Sequence, residues 1–145
     1  MIESLQGITR LYLDANILIY LVEGDEALSQ SVHALLEDAG VANIRLFTSD
    51  ITVTECLLGP LRAGNIDLAQ AYLNLLQSHD FITLVGADRD VCVMASHIGA
   101  QYRLKTVDAI HLASAESSGC QALLSNDQGF KNTDNVRVIK LSDWV

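Results

Sequence analysis

Asp14, Glu55, Asp108 and Asp127 are the residues whose chemical type and setting point to a reaction. Asp14 ends the apolar run Arg10-Leu11-Tyr12-Leu13 and opens a second apolar run, where the hydrophobic spacing changes from strand-like to helix-like. Asp127 follows another apolar run, Ala122-Leu123-Leu124-Ser125, by two residues. Glu55 and Asp108 lie near the starts of segments with helical spacing. An ionised carboxylate at the end of a buried strand is costly unless it is paired or holds a cation. Oxygen ligands of this kind suit the hard cations Mg²⁺ or Mn²⁺. Without the cation such a cluster repels itself and raises some of its own pKa values. With one or two ions, which lie about 3.5–4 Å apart where paired, it could activate water against a phosphodiester. Taken singly, each acid is more simply read as a cap or turn residue; the case rests on the set.

The elements that must position these acids alternate along the chain. A strand over 10–13 leads into an apolar helix. Residues 25–39 form an amphipathic helix with Leu28, Val32, Leu35 and Leu36 on one face and Gly40 as its stop. A strand over 46–49 precedes a helix that Ser49 or Asp50 caps, that carries Glu55, and that Pro60 should end or kink near Leu58. Asn65 caps a helix to about Leu76, with Leu68, Ala71, Tyr72 and Leu75 facing inward. A strand over 81–85, a helix over 88–102, a Thr106-capped helix closed by Gly119, and strands over 122–125 and 136–139 complete the order. This alternation predicts an α/β fold: a three-layer sandwich with a central, mostly parallel sheet and right-handed crossovers, one domain over residues 1–145. Helix starts that follow strands face the same rim as the strand carboxyl ends, where open α/β sheets place their sites. The four acids can therefore share one pocket, and Asp108 gains from the positive end of its helix.

Composition narrows the classes. At 145 residues and 50% hydrophobic, the chain supports a real core and is not disordered. No apolar run reaches a membrane span, and residues 1–4 lack the basic region of a signal peptide. Cys56, Cys92 and Cys120 are far apart without metal-ligand spacing, which reads as reduced core thiols in a cytoplasmic protein. The formal charge of −9 runs against a nucleic-acid partner, less so if several acids converge on divalent cations that reverse the local sign.

Four blocks carry a resemblance: Tyr12-Leu13-Asp14-Ala15-Asn16, Thr52-Val53-Thr54-Glu55, the stretch from Thr106 to Ala115 containing Asp108 and His111, and Leu124-Ser125-Asn126-Asp127-Gln128-Gly129-Phe130. In order and spacing they resemble the signature blocks of the PIN-domain family, and most of all the VapC-type toxins of prokaryotic toxin–antitoxin pairs. The resemblance covers nearly the whole chain. It implies a metal-dependent endoribonuclease, with Asp14, Glu55, Asp108 and Asp127 as both metal ligands and catalytic acids. Ser125 matches a position where the family often has Thr, and keeps the hydroxyl that supports the site. The resemblance also implies an RNA substrate, a cognate antitoxin and a homodimer. Such an antitoxin would silence the site with a basic side chain, anchored on apolar residues near Leu57, Leu58 and Leu61.

Other residues have two readings each. Asn16 either orients a carboxylate or a bound water, or caps a helix beginning at Ile17. His111, three residues past Asp108, is a proton shuttle or, as the sequence favours, a hydrogen-bonded structural histidine, since nothing in the sequence supplies an orienting partner. Arg103, Lys105 and Lys131 flank the pocket mouth as phosphate contacts or are solvated surface charge. Tyr12, Tyr20 and Trp144 read as packing residues. Two other functions compete with the ribonuclease: a non-catalytic PIN-like module that binds RNA or protein, and a phosphotransfer domain. A dehalogenase-type phosphatase would want a second Asp where Asn16 stands.

Overall fold

The structure, a computed structural model, describes residues 5–143. Strands β1 (Arg10–Leu13), β2 (Arg45–Ser49), β3 (Thr83–Val85), β4 (Ala122–Ser125) and β5 (Arg137–Lys140) form one sheet in the order β3-β2-β1-β4-β5. Every pairing is parallel, so the mostly parallel sheet expected from the sequence is wholly parallel among the described residues. Helices α1 (Ala15–Glu23), α2 (Glu26–Val41), α3 (Asp50–Arg62) and α4 (Ile66–Leu76) cover one face, and α5 (Arg89–Tyr102) and α6 (Thr106–Ser117) the other.

Strand alternation divides the core between the two faces. Leu11 and Leu13 of β1 pack with Ile17, Leu18, Val32, Leu35 and Tyr72, whereas Tyr12 points the other way, among Phe47, Ala95, Leu112 and Leu123. All three β1 side chains are fully buried, which is why the run is apolar without a break. No helix among the described residues is long and apolar enough to cross a membrane.

Several local expectations shift. Pro60 does not end α3, which runs on to Arg62. Only the missing amide of Pro60 is lost near the helix end, the ring is buried, and the last turn is closed by Ala63 N to Gly59 O (3.1 Å) and Asn65 N to Pro60 O (2.8 Å). Gly40 lies within α2, and the left-handed residue that turns the chain is Asn43, φ 57°. Ala71 is exposed; the buried face of α4 is Ala69, Tyr72 and Leu76. Strand β3 begins at Thr83, because the Phe81 and Ile82 amides turn back to Ser78 O. Thr106 is the first residue of α6 and Lys105 its cap. Cys56 and Cys120 are buried free thiols, but Cys92 is exposed. Trp144 lies outside the described residues.

Candidate functional site

The strand order reverses between β1 and β4: the chain moves outward from β1 to β2 and β3, then resumes on the other side of β1. At such a switch point the connections leaving the two strands diverge and open a crevice at their carboxyl ends. Asp14 leaves β1 there, and Ser125 to Asp127 leave β4. Asp14 is the N-cap of α1 in extended backbone (φ −67°, ψ 153°), yet its side chain makes no cap bond. Instead its Oδ2 accepts from Ser125 Oγ at 2.8 Å. The same Ser125 oxygen accepts from Asp127 N at 2.9 Å, and Asp127 Oδ1 accepts from Gly129 N at 2.8 Å. One buried hydroxyl thus ties the strand-end acid of β1 to the loop that carries Asp127.

Glu55 enters from α3. Ser49 caps that helix, accepting from Ile51 N at 3.3 Å, and Thr48 Oγ1 donates to Leu13 O (2.8 Å) while contacting Thr52 Oγ1 (2.7 Å). The helix start is therefore fastened to the end of β1, one turn before Glu55. His111 Nε2 lies 2.5 Å from Glu55 Oε1 and 3.8 Å from Asp14 Oδ1, and its Nδ1 lies 2.7 Å from the Tyr12 hydroxyl. Asp14, Glu55 and His111 each offer one ligand atom, and these atoms all lie within 4.8 Å of one another. The orienting partner that the sequence did not reveal for His111 is Tyr12. Strand alternation was the available signal, since it puts Tyr12 on the same side of β1 as Asp14.

Asp108, in the first turn of α6, meets Asp127 across Gly129. A Cβ at position 129 would stand 2.8 Å from Asp108 Oδ2 and 3.4 Å from Asp127 Oδ1, so glycine is what lets the two acids close on the loop. Burial, and then the Asp127 charge, raise the Asp108 carboxyl above its ordinary range, partly offset by His111 and Lys105. Burial raises Asp14 as well, with Glu55 adding to the rise and His111 and Ser125 opposing it. Burial pushes the Tyr12 hydroxyl far up and the Cys56 thiol up to about 12, the latter reinforced by the Glu55, Asp14 and Glu23 charges. Glu55 thus lies near enough to act on both Asp14 and Asp108, and Asp127 near enough to act on Asp108.

Residues 11–136 match the PIN domain family. The chain belongs to that family. No curated protein sequence matches it. Among solved structures, this PIN domain is similar to a toxin–antitoxin complex from Klebsiella pneumoniae, with 22% identity, 87% of this chain and 94% of that one covered, and a TM-score of 0.64. It is also similar to VapBC2 from Rickettsia felis bound to a DNA fragment from its promoter, with 18% identity, coverage of 90% and 98%, and a TM-score of 0.71. A third is the sarcin–ricin loop cleaving toxin VapC20 of Mycobacterium tuberculosis, with 14% identity, coverage of 78% and 86%, and a TM-score of 0.63. At these identities the likeness speaks for the fold.

The remaining sequence candidates fall at different distances from the PIN domain's acidic rim. Asn16 is the second residue of α1, which starts at Ala15, so the cap position, one of its two readings, belongs to Asp14. Lys105 lies close enough to influence Asp108. Arg103 is the exposed, left-handed residue closing α5 (φ 57°). Lys131 Nζ donates to Tyr102 O at 3.0 Å, binding the loop after Asp127 to the end of α5. Lys140, which the sequence did not single out, donates from β5 to the Asp127 carbonyl. Nothing in its spacing marks it, because the contact depends on β5 lying beside β4.

Proposed function

We propose that this PIN domain is a divalent-metal-dependent endoribonuclease and the toxin of a toxin–antitoxin pair. The observation that carries the reading is the grouping of Asp14, Glu55 and His111 at the sheet's switch point, with the Asp108–Asp127 pair outside that group but near enough for Glu55 to act on Asp108. The donor set suits Mg²⁺ or Mn²⁺: four carboxylates from four segments, two of them raised by burial and mutual repulsion, which a bound cation would relieve. Bound there, one or two such ions would supply the Lewis acidity that activates water and offsets charge developing on a phosphodiester. In this reading Asp14 is the fixed ligand, aimed by Ser125, and Glu55 the ligand facing it. Asp108 and Asp127 complete the set from the more open side. Asn16, at the start of α1, orients a carboxylate or a water. Arg103 and Lys105 guide the phosphate backbone, which fixes position rather than sequence.

The partners follow from the same reading. Two of the similar structures are complexes of toxin with antitoxin, and another is of a toxin that cleaves the sarcin–ricin loop, which supports an RNA substrate and a small antitoxin for this chain. The antitoxin would place an Arg fork among the carboxylates, whose planar geometry it matches. Leu58 and Leu61 of α3 are exposed, while Leu57 packs inward, so the apolar anchor belongs to the first two. The homodimer implied by the resemblance is part of this proposal.

The test is a titration of Mg²⁺ and Mn²⁺ with cleavage mapped on total RNA, beside Asp14→Asn. Metal-dependent cuts that vanish in the variant support the nuclease. RNA binding without cutting at any metal concentration would replace it with a binding module. For the partner, inhibition by the coexpressed antitoxin should weaken as Mn²⁺ rises.

A further inference from the structure

We propose that His111 is a positioning residue for Glu55, and that Tyr12 holds its ring in place, an inference that rests on the metal-site reading of Glu55. A carboxylate can only accept, so the 2.5 Å contact between His111 Nε2 and Glu55 Oε1 requires the proton on Nε2. In the neutral ring Nδ1 is then an acceptor, and the Tyr12 hydroxyl donates to it across 2.7 Å. Glu55 thereby selects the tautomer, and Tyr12, whose hydroxyl can donate or accept, supports it by satisfying the buried Nδ1 and fixing the ring. The ring has little freedom to do otherwise. It is 1% exposed and lies edge-on between Tyr12 and Phe130, with centroids at 5.6 and 6.2 Å.

The arrangement closes on itself. Tyr12 is in β1, two residues before Asp14; His111 is in α6, one turn after Asp108; Glu55 is in α3, one turn after Thr52, which joins Thr48 and so the end of β1. A glutamate side chain loses much rotamer freedom when fixed. Here that cost is met during folding by a hydrogen-bond chain that is buried at Tyr12 and His111, so Glu55 waits in place beside Asp14. Support of this kind around a metal ligand is typically worth about 10–100-fold in affinity. A histidine serving packing alone would direct Nε2 at a buried acceptor, not at a carboxylate that is 34% exposed at the site.

The experiment has two arms. In the first, ¹⁵N NMR of the metal-free protein reads the His111 tautomer. The Nε2–H form is expected in the wild type and in Tyr12→Phe, where Glu55 still accepts. A dominant Nδ1–H form in the wild type overturns the proposal. In the second, Mn²⁺ affinity is measured by calorimetry in the wild type, Tyr12→Phe, His111→Gln and the double variant. His111→Gln keeps a donor while losing the Tyr12 contact, and Tyr12→Phe keeps the ring shape. Each should weaken Mn²⁺ binding by about 10-fold or more, and Tyr12→Phe should add nothing once His111 is changed. Equal affinity in all four proteins, or losses that multiply, overturns the proposal. If the wild type binds no Mn²⁺, the metal-site reading of Glu55 falls, while the tautomer arm still decides whether His111 donates to Glu55.

Discussion

The two halves of the acidic rim are built differently. Asp14, with Glu55 and His111, sits at the mouth of the core: Asp14 is 3% exposed and His111 1%, and fixed partners on β4, β1 and α3 surround them. Asp108 and Asp127 are half-buried and meet across a loop, held by a glycine amide and by the Lys140 contact to a main-chain carbonyl. Asp14 is raised in pKa mainly by desolvation, opposed by His111 and Ser125. For Asp108, the neighbouring Asp127 carboxylate is the next cause after burial. Precision thus resides where water is excluded, and adjustability where the loop is. The proposed function, which asks the site to hold an ion and admit a polymer, calls for both.

The sharpest way to break this comparison is to neutralise one acid from each half. Asp14→Asn keeps an oxygen that can accept from Ser125, so the fold should persist. Removing the anchored ligand should cut cleavage on the order of 100-fold or more, the scale of several kcal/mol expected of metal catalysis. Asp108→Asn should cost less. An equal or larger loss from Asp108→Asn, measured as kcat/KM on one RNA substrate, would show that anchoring does not rank the acids. Gly129→Ala tests the open half directly. A methyl 2.8 Å from Asp108 Oδ2 forces the carboxylate or the loop to move. Activity should fall about tenfold, with overpacking of at most about 1–3 kcal/mol, softened because the loop can yield. A full-activity alanine variant would mean that Asp108 and Asp127 need not approach one another.

Metal should also stabilise the protein, by an amount that divides unevenly between the halves. A cation that binds only the folded state at about 100 times its Kd adds about 2.7 kcal/mol. Calorimetry should show Mg²⁺ or Mn²⁺ raising the melting temperature, with most of the rise lost in Asp14→Asn and less in Asp108→Asn. An undiminished rise in both variants would assign the effect to general screening of the −9 charge.

How much of this was legible in the sequence divides along the same line. The carboxyl ends of the first four strands, the helix starts at Asp25, Asn65 and Asp88, and the placing of Asp14 and Asp127 after strands and of Asp108 in the first turn of a helix follow from hydrophobic period and cap chemistry, which are local. Those caps accept from Leu28, Leu68 and Val91 amides in the structure, as residues of their type should. The extent of α3 past Pro60 was not legible, because burial of the ring offsets the lost amide and burial is tertiary. Nor were the partners of His111 or the role of Lys140, since each contact joins segments more than ten residues apart. Ser125 was readable as a hydroxyl near the acids; its double use, donor to Asp14 and acceptor from Asp127 N, required the geometry.

The smallest effect concerns pH in the metal-free protein. Asp14 and Asp108 both have carboxyls raised above the ordinary range, so the folded state holds their protons more tightly than the unfolded chain does. For an acid raised on folding, the stabilising contribution is fully present below the unfolded pKa and is lost as pH rises through the folded one. Metal-free stability should therefore decline, for these two groups, as pH climbs from the normal carboxylate range through their raised values. Saturating Mg²⁺ should reverse that slope, because the cation favours the ionised forms. Asp14→Asn should flatten the metal-free profile more than Asp108→Asn, since its cause is chiefly burial while Asp108 leans also on Asp127 and is nearer to water. Urea denaturation across this range, in chelator and then in Mg²⁺, measures each slope. A metal-free profile that rises through the window, or one that Asp14→Asn leaves unchanged, would mean that the anchored half carries no desolvation strain.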